Sequence, residues 1–305
     1  MDSAPSPLIL YVPGLLPKPE PAVHRRELFR CLQEGVRRID SLCADALGDG
    51  STCFDIVGWN YDFYGEHRDI SLDQAAIDRL LERREASAAD RAEAGSLRRR
   101  TIRAIYRAVD RLPVLIPYFA DDKLEIHLRD LRRYVSNEFD VADAIRRMLR
   151  IPLLAASRAG RRILLIGHSL GSVVAYDTLL QLGHERKNVV GIDLFLSLGS
   201  PLGQRYIQQR LLGHKAPEED RYPVNIRRWV NIAAVGELTA IDMQLADDFA
   251  PMVRRGLLES IDDRSVFNWF RLDGVLNVHA EYGYLVNEVT ASVICEWWQR
   301  NYRGR

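Results

Sequence analysis

Gly167-His168-Ser169-Leu170-Gly171 is the segment of this chain whose residue types and spacing point most directly to chemistry. A serine flanked by glycines two positions away on either side suits a sharp strand-to-helix turn. Strained backbone there lifts the hydroxyl clear of the sheet, and the small neighbours avoid collision. The apolar run Ile163-Leu164-Leu165-Ile166 precedes the turn, and the small-residue stretch Gly171-Ser172-Val173-Val174-Ala175-Tyr176 follows it. In that setting Ser169 reads as a nucleophile that attacks a carbonyl and forms a covalent intermediate. The start of the following helix would offer backbone N–H groups and a favourable dipole to a developing oxyanion. Leu170 is the expected first donor. Leu15, in the loop Pro13-Gly14-Leu15-Leu16, is the expected second, because Gly14 allows close backbone approach.

A serine needs a base and an orienting acid, and where such turns occur these follow in the order serine, acid, histidine. Only His184, His214 and His279 lie downstream of Ser169. The first two sit in charged, loop-like stretches, whereas His279 falls after the last expected strand and just before a terminal helix. His279 is therefore the expected base. His168 precedes the serine on the strand, so its ring is expected to point away and to be structural. The acid should follow the strand Trp229-Val230-Asn231-Ile232-Ala233-Ala234-Val235. Glu237 and Asp242 are the nearest carboxylates, with Asp247 and Asp248 farther along. Position favours Glu237 and leaves Asp242 as the alternative. Glutamate can serve, because the acid holds the imidazole tautomer and stabilises the imidazolium without taking the proton.

These residues need a scaffold. Leu8-Ile9-Leu10-Tyr11-Val12 is a buried-strand run stopped by Pro13-Gly14. Residues 22–47 carry apolar positions at helical spacing, among them Leu28, Leu32, Val36, Ile39 and Leu42. Residues 53–59 read as a second strand, so the chain opens as a βαβ unit. Residues 66–112 are rich in Ala, Arg and Glu without a strand-like run, and read as a helical insertion outside the sheet. The proline-broken apolar segment 113–119 follows, read as either cap or ordinary core. Residues 124–149 then alternate at helical spacing, with Val135, Phe139, Val141, Ile145 and Leu149 facing inward. Strands are expected at 192–198 and 228–235, and a terminal helix at 289–298. The pattern predicts one α/β domain over 1–305, with a mostly parallel central sheet, helices on both faces, and a helical insertion at 66–134 as a candidate cap or lid.

Composition narrows the partners. The 305 residues carry 42 basic and 42 acidic side chains, and this balance argues against a dedicated nucleic-acid binder. The four cysteines form no metal-ligand spacing, so no metal and no cofactor are expected. Residues 1–7 lack the features of a signal peptide, and no apolar run approaches the ~18 residues of a membrane span. The expectation is a cytoplasmic protein without integral membrane association.

The chain resembles bacterial α/β-hydrolase-fold proteins of the lipase and esterase kind. Four stretches carry the resemblance: Ile166 through Asp177, Ser197-Leu198-Gly199-Ser200-Pro201-Leu202-Gly203, Trp229 through Glu237, and His279 through Leu285. It is good over residues 135–300, thinner over 8–64 and absent over 66–112. The family usually places Asp after Gly where Glu237 stands here, and the first loop reads Val-Pro-Gly where many relatives have His-Gly. The resemblance implies cleavage of a carboxylic ester, including lipid esters or thioesters, through an acyl-enzyme on Ser169. The rival reading is a binding or regulatory module on the same scaffold with little turnover, and a third is a lipid-surface enzyme with residues 66–119 as an amphipathic lid. Cap, homodimer contact and mobile arm all fit the insertion.

Overall fold

The computed structural model describes residues 5–111, 122–185, 190–240 and 242–302. The segment 113–119, read as cap or core, lies outside the described residues. Six strands form one sheet: β1 (Leu8–Val12), β2 (Phe54–Ile56), β3 (Ile163–His168), β4 (Leu194–Leu198), β5 (Arg228–Ala234) and β6 (Ser260–Val266). Their order is β2-β1-β3-β4-β5-β6, and every neighbouring pair is parallel. A small antiparallel pair, Arg271–Leu272 with Val275–Leu276, stands apart from the sheet.

Strand periodicity explains why the sheet is covered on both sides. Ile9, Tyr11, Leu164 and Ile166 point into one core, packed under α1 (Pro21–Ile39) and the terminal helix Glu288–Asn301. Leu8, Leu10, Ile163 and Leu165 point into the other, packed under Val141–Arg158 and Leu170–Gly183. A strand buried on both faces reads as a continuous apolar run, which is why β1 and β3 stand out in the sequence. Each such fully buried Leu or Ile contributes about 1.5–3 kcal/mol.

The strand order creates a crevice. From β1 the chain turns through α1 to β2 at one edge, then re-enters on the other side of β1 at β3 and continues outward to β6. The direction in which successive strands are added across the sheet therefore switches at β1 and β3, although all strands run parallel. In parallel α/β sheets, ligand sites form at the carboxyl ends of the strands at such a switch point.

Three expectations need correction. Residues 22–47 are two helices, because Asp40 adopts extended backbone (φ −153°, ψ 107°) and its side chain caps Ser41–Ala46 by accepting from the Cys43 amide. The break rotates Leu42 outward, where it is 79% exposed. Residues 124–149 likewise split into Asp122–Val135 and Val141–Arg158 at a turn in which Asn137, Phe139 and Asp140 all have positive φ. Phe139, expected inside, is 94% exposed. Strand β6 was not expected at all: Ser-Ile-Asp-Asp-Arg-Ser-Val shows neither an apolar run nor clean alternation. It lies at the sheet edge, where charged side chains are tolerated and discourage pairing with another chain. The insertion is helical where described, as Ser71–Glu82, Ala88–Ala94 and Leu97–Arg111, and adds no strand. Among the described residues no helix is long and apolar enough to cross a membrane.

Candidate active site

Ser169 sits between β3 and the helix Leu170–Gly183 with φ 52° and ψ −128°, a conformation that L-residues rarely hold. Packing around the turn enforces it. The Ser169 amide donates to Leu198 O on β4 (2.9 Å), while its carbonyl accepts from the Ser172 amide (3.0 Å) and from Ser172 Oγ (2.6 Å). Ser172 Oγ is also bonded to Ser200 Oγ at 2.7 Å, which ties the turn to the end of β4. Two glycines make room. A Cβ on Gly171 would collide with the carbonyl of Val12, and one on Gly14 would lie 2.7 Å from Ser169 Cβ. The loops after β1 and β3 therefore touch backbone to backbone.

His279 and Glu237 meet across two other loops. Nδ1 of His279 lies 2.9 Å from Glu237 Oε2. Glu237 is buried at the turn after β5, and its Oε1 accepts from the amides of Leu238 and Thr239, each at 3.1 Å. Tyr284 donates its hydroxyl to Oε2 at 2.9 Å and accepts from the Ala234 amide at 2.9 Å. Burial alone would raise the Glu237 carboxyl. The His279 ring and the donors from Thr239 and Tyr284 outweigh it and hold the group below its ordinary range. A carboxylate that accepts from Nδ1 leaves Nε2 of a neutral imidazole as its lone-pair nitrogen.

Asp242 is not brought to the histidine. Its carboxylate accepts from the Gln244 amide at 3.1 Å in its own loop, and it makes no hydrogen bond to His279. Asp247 and Asp248 lie on the short helix Leu245–Asp248, also without a bond to His279. Burial and the nearby Asp242 push Asp248 up to about 6.

His168 departs from expectation, because its ring does not point away. It lies 4.8 Å from the His279 ring, and Nε2 bonds the His279 carbonyl at 2.9 Å. A carbonyl only accepts, so Nε2 carries the proton. Burial, with His279 beside it, lowers His168 to about 3, and the ring stays neutral near neutral pH.

The loop after β1 is fastened from behind. Trp59 Nε1 donates to Pro13 O (3.0 Å), and Asn60 Nδ2 donates to the carbonyls of Gly14 (2.8 Å) and Leu16 (2.9 Å). The Leu16 amide donates to Tyr64 Oη at 3.0 Å. The amides of Leu15 and Leu170 make no hydrogen bond among the described residues, and neither does the Ser169 hydroxyl. Sequence reasoning missed Trp59, Asn60, Ser172 and Ser200. Ser172 follows the serine by one helical turn, a local spacing, whereas no spacing rule links Trp59, Asn60 or Ser200 to it, because each acts through a carbonyl or hydroxyl brought near by the fold.

Ser169, His279 and Leu15 line one cavity of about 530 Å³. Leu16, Leu72, Phe270 and Leu272 give it apolar surface, Lys18, Arg68, Asp73 and Glu281 give it charged surface, and Leu72, Arg68 and Asp73 come from the insertion. The insertion also grips both partner loops. Arg99 Nη2 donates to Leu276 O at 2.9 Å, Arg271 Nε donates to Asp90 Oδ1 at 2.9 Å, and Ala94 O fills the space beside Gly236. In comparisons with protein-family models, curated proteins and solved structures, the chain finds no match.

Proposed function

We propose that the protein is a serine hydrolase of the α/β-hydrolase fold that cleaves carboxylic esters through an acyl-enzyme on Ser169. The observation that carries the reading is the 2.9 Å contact between Glu237 and His279, made beside a cavity that Ser169 also lines. The chain order serine, acid, histidine agrees with that fold, as does a serine on a strained turn after a central strand. The switch point between β1 and β3 is consistent with candidate oxyanion amides drawn from the two loops that follow those strands, at Leu15 and Leu170.

In this mechanism His279 Nε2 takes the proton of Ser169 Oγ as Oγ bonds to the carbonyl carbon. The carbonyl π electrons move to oxygen, where the amides of Leu15 and Leu170 stabilise the charge. Collapse of the tetrahedral species breaks the ester C–O bond, and His279 returns the proton to the departing alcohol. Water, deprotonated by His279, then attacks the acyl carbon; collapse breaks its bond to Ser169 Oγ, which recovers the proton from His279 as the acid leaves. Glu237 keeps the proton on Nδ1 and stabilises the imidazolium throughout. Leu16, Leu72, Phe270 and Leu272 offer apolar surface to an acyl group, beside charged residues such as Lys18 and Arg68, and the insertion serves as a cap over it.

One observation favours the second reading, a binding module with little turnover: the Ser169 hydroxyl has no hydrogen-bond partner among the described residues. Catalytic contacts often tighten only when substrate binds, so the enzyme remains the better account. The test is hydrolysis of p-nitrophenyl esters of graded chain length by wild type and Ser169→Ala, with fluorophosphonate labelling of both. Turnover and labelling confined to the wild type are expected. Equal turnover in Ser169→Ala overturns the nucleophile, and a folded wild type that neither labels nor turns over supports the binding module.

A further inference from the structure

Lys18, His168 and Glu281, which border the same cavity, belong to a second cluster of ionisable groups that the proposed reaction does not use. Glu281 begins the short helix Glu281–Leu285, two residues after His279, and its side chain is only 6% exposed. Its Oε1 accepts from Lys18 Nζ (2.9 Å) and from His24 Nε2 (3.0 Å), and its Oε2 accepts from Tyr11 Oη (3.0 Å). His168 Nδ1 stands 3.9 Å from Oε2. Tyr11 is on β1, His24 on α1, and Lys18 in the loop after β1, three residues beyond Leu15. One buried carboxylate therefore joins the turn bearing the histidine to the loop bearing a candidate oxyanion amide.

Packing alone does not call for a charge here. Burying an ion costs several kcal/mol before its partners compensate, and an apolar side chain of similar size often serves stability as well. Burial would raise the Glu281 carboxyl, but Lys18 and His24 outweigh it and keep the group ionised, well below the usual carboxylate range. The same turn is held elsewhere by Asn268, whose Nδ2 donates to Ala280 O at 2.8 Å, and by the His168 bond to the His279 carbonyl at 2.9 Å. Of these three anchors, only Glu281 is hydrogen-bonded to the loop after β1, through Lys18.

We propose that Glu281 is a positioning residue that fixes the His279 imidazole and the Leu15 amide relative to each other on either side of Ser169. The inference rests on the roles proposed above for His279 and Leu15. Glu281 borders the cavity, and its bonds are to Tyr11, Lys18 and His24, so the role proposed for it is exerted through the two loops.

The test compares wild type with Glu281→Gln and Tyr11→Phe, reading steady-state kinetics on p-nitrophenyl esters and the histidine ring signals in NMR spectra, with His279 assigned through His279→Gln. Displacement of reacting groups by as little as ~1 Å can cost about a hundredfold in rate. The expected result is a fall in kcat of about tenfold or more for Glu281→Gln and about threefold for Tyr11→Phe, with KM within about twofold and shifted His279 signals. If Glu281→Gln does not fold, Tyr11→Phe decides the matter. Unchanged kcat and unchanged His279 signals in the folded variants overturn the proposal. A wild type without turnover but with His279 signals that move in these variants overturns the proposed reaction and still supports the anchoring role.

Discussion

Glu237 and His279 stand 42 positions apart in the chain and meet at 2.9 Å, with Tyr284 bonded to the same carboxylate oxygen. The three residues explain how the turn after β5 holds a glutamate side chain. That side chain ends in a socket formed by the Leu238 and Thr239 amides on one oxygen, and by His279 and Tyr284 on the other. We predict that Glu237→Gln lowers kcat by about three to four orders of magnitude, because an amide can no longer hold the correct tautomer and stabilise the imidazolium. Glu237→Asp withdraws the carboxylate by one methylene and should cost about ten- to a hundredfold. Asp242→Asn should stay within about twofold of wild type in kcat/KM on a p-nitrophenyl ester. A large loss in Asp242→Asn with an active Glu237→Gln would reverse the acid assignment.

Tyr284→Phe offers a different test of the same socket. The substitution leaves the buried Ala234 amide without its acceptor and Glu237 with one donor fewer. An orphaned buried donor costs about 1–3 kcal/mol. Urea unfolding should show a loss of that size, with kcat reduced less than in Glu237→Asp. An unchanged midpoint would mean that the hydroxyl does not anchor the acid turn.

The parts of this arrangement that were legible in the sequence share a physical cause. Strands β1 and β3 are buried on both faces, so burial wrote them as unbroken apolar runs. The placement of Ser169, Glu237 and His279 followed from chain order relative to those strands. What was hidden has causes that residue pattern does not carry. Asp40 and Asn137 break helices by backbone conformation, which the 3.6-residue rhythm of their neighbours masks. Strand β6 is an edge strand with Asp262, Asp263 and Arg264 at its centre, so hydrophobicity says nothing of it. The ring of His168 was expected to face away because strand residues alternate, yet it reaches back to the His279 carbonyl. Glu281 gathers Tyr11, Lys18 and His24 from more than 250 positions away, a distance no local pattern spans.

Gly14 is predicted to be the least replaceable residue of the first loop. Its missing Cβ leaves space in which Ser169 Cβ would be 2.7 Å away and His168 Nδ1 3.1 Å away. Gly14→Ala must push the loop or the serine turn outward, separating the Leu15 amide from Ser169. We expect ester turnover to fall by about a hundredfold or more while the far-UV circular dichroism stays that of the wild type. Near wild-type turnover would show that this contact relaxes without moving the site.

The last prediction concerns pH and a carboxylate outside the reaction. Asp177 lies on the helix that follows Ser169, is 3% exposed, and accepts from the Leu212 amide at 3.1 Å. Its nearest cation, Arg146, stands 4.0 Å away, too far to offset burial, and the carboxyl is raised from 3.8 to about 6. The folded protein therefore holds this proton more tightly than the unfolded chain does. Between those two values the native state carries more protons, so Asp177 makes stability fall as pH rises through pH 4 to 6. Above pH 6 the full cost of the buried charge is present, on the order of 2–3 kcal/mol. Asp177→Asn keeps an acceptor for the Leu212 amide and removes the titration. In urea unfolding the variant should match the wild type near pH 4, gain on it up to pH 6, and keep a constant advantage from pH 7 to 8. A variant less stable than the wild type at pH 8 would mean that Arg146 repays the burial of the charge, and that this ion pair supports the helix behind the serine.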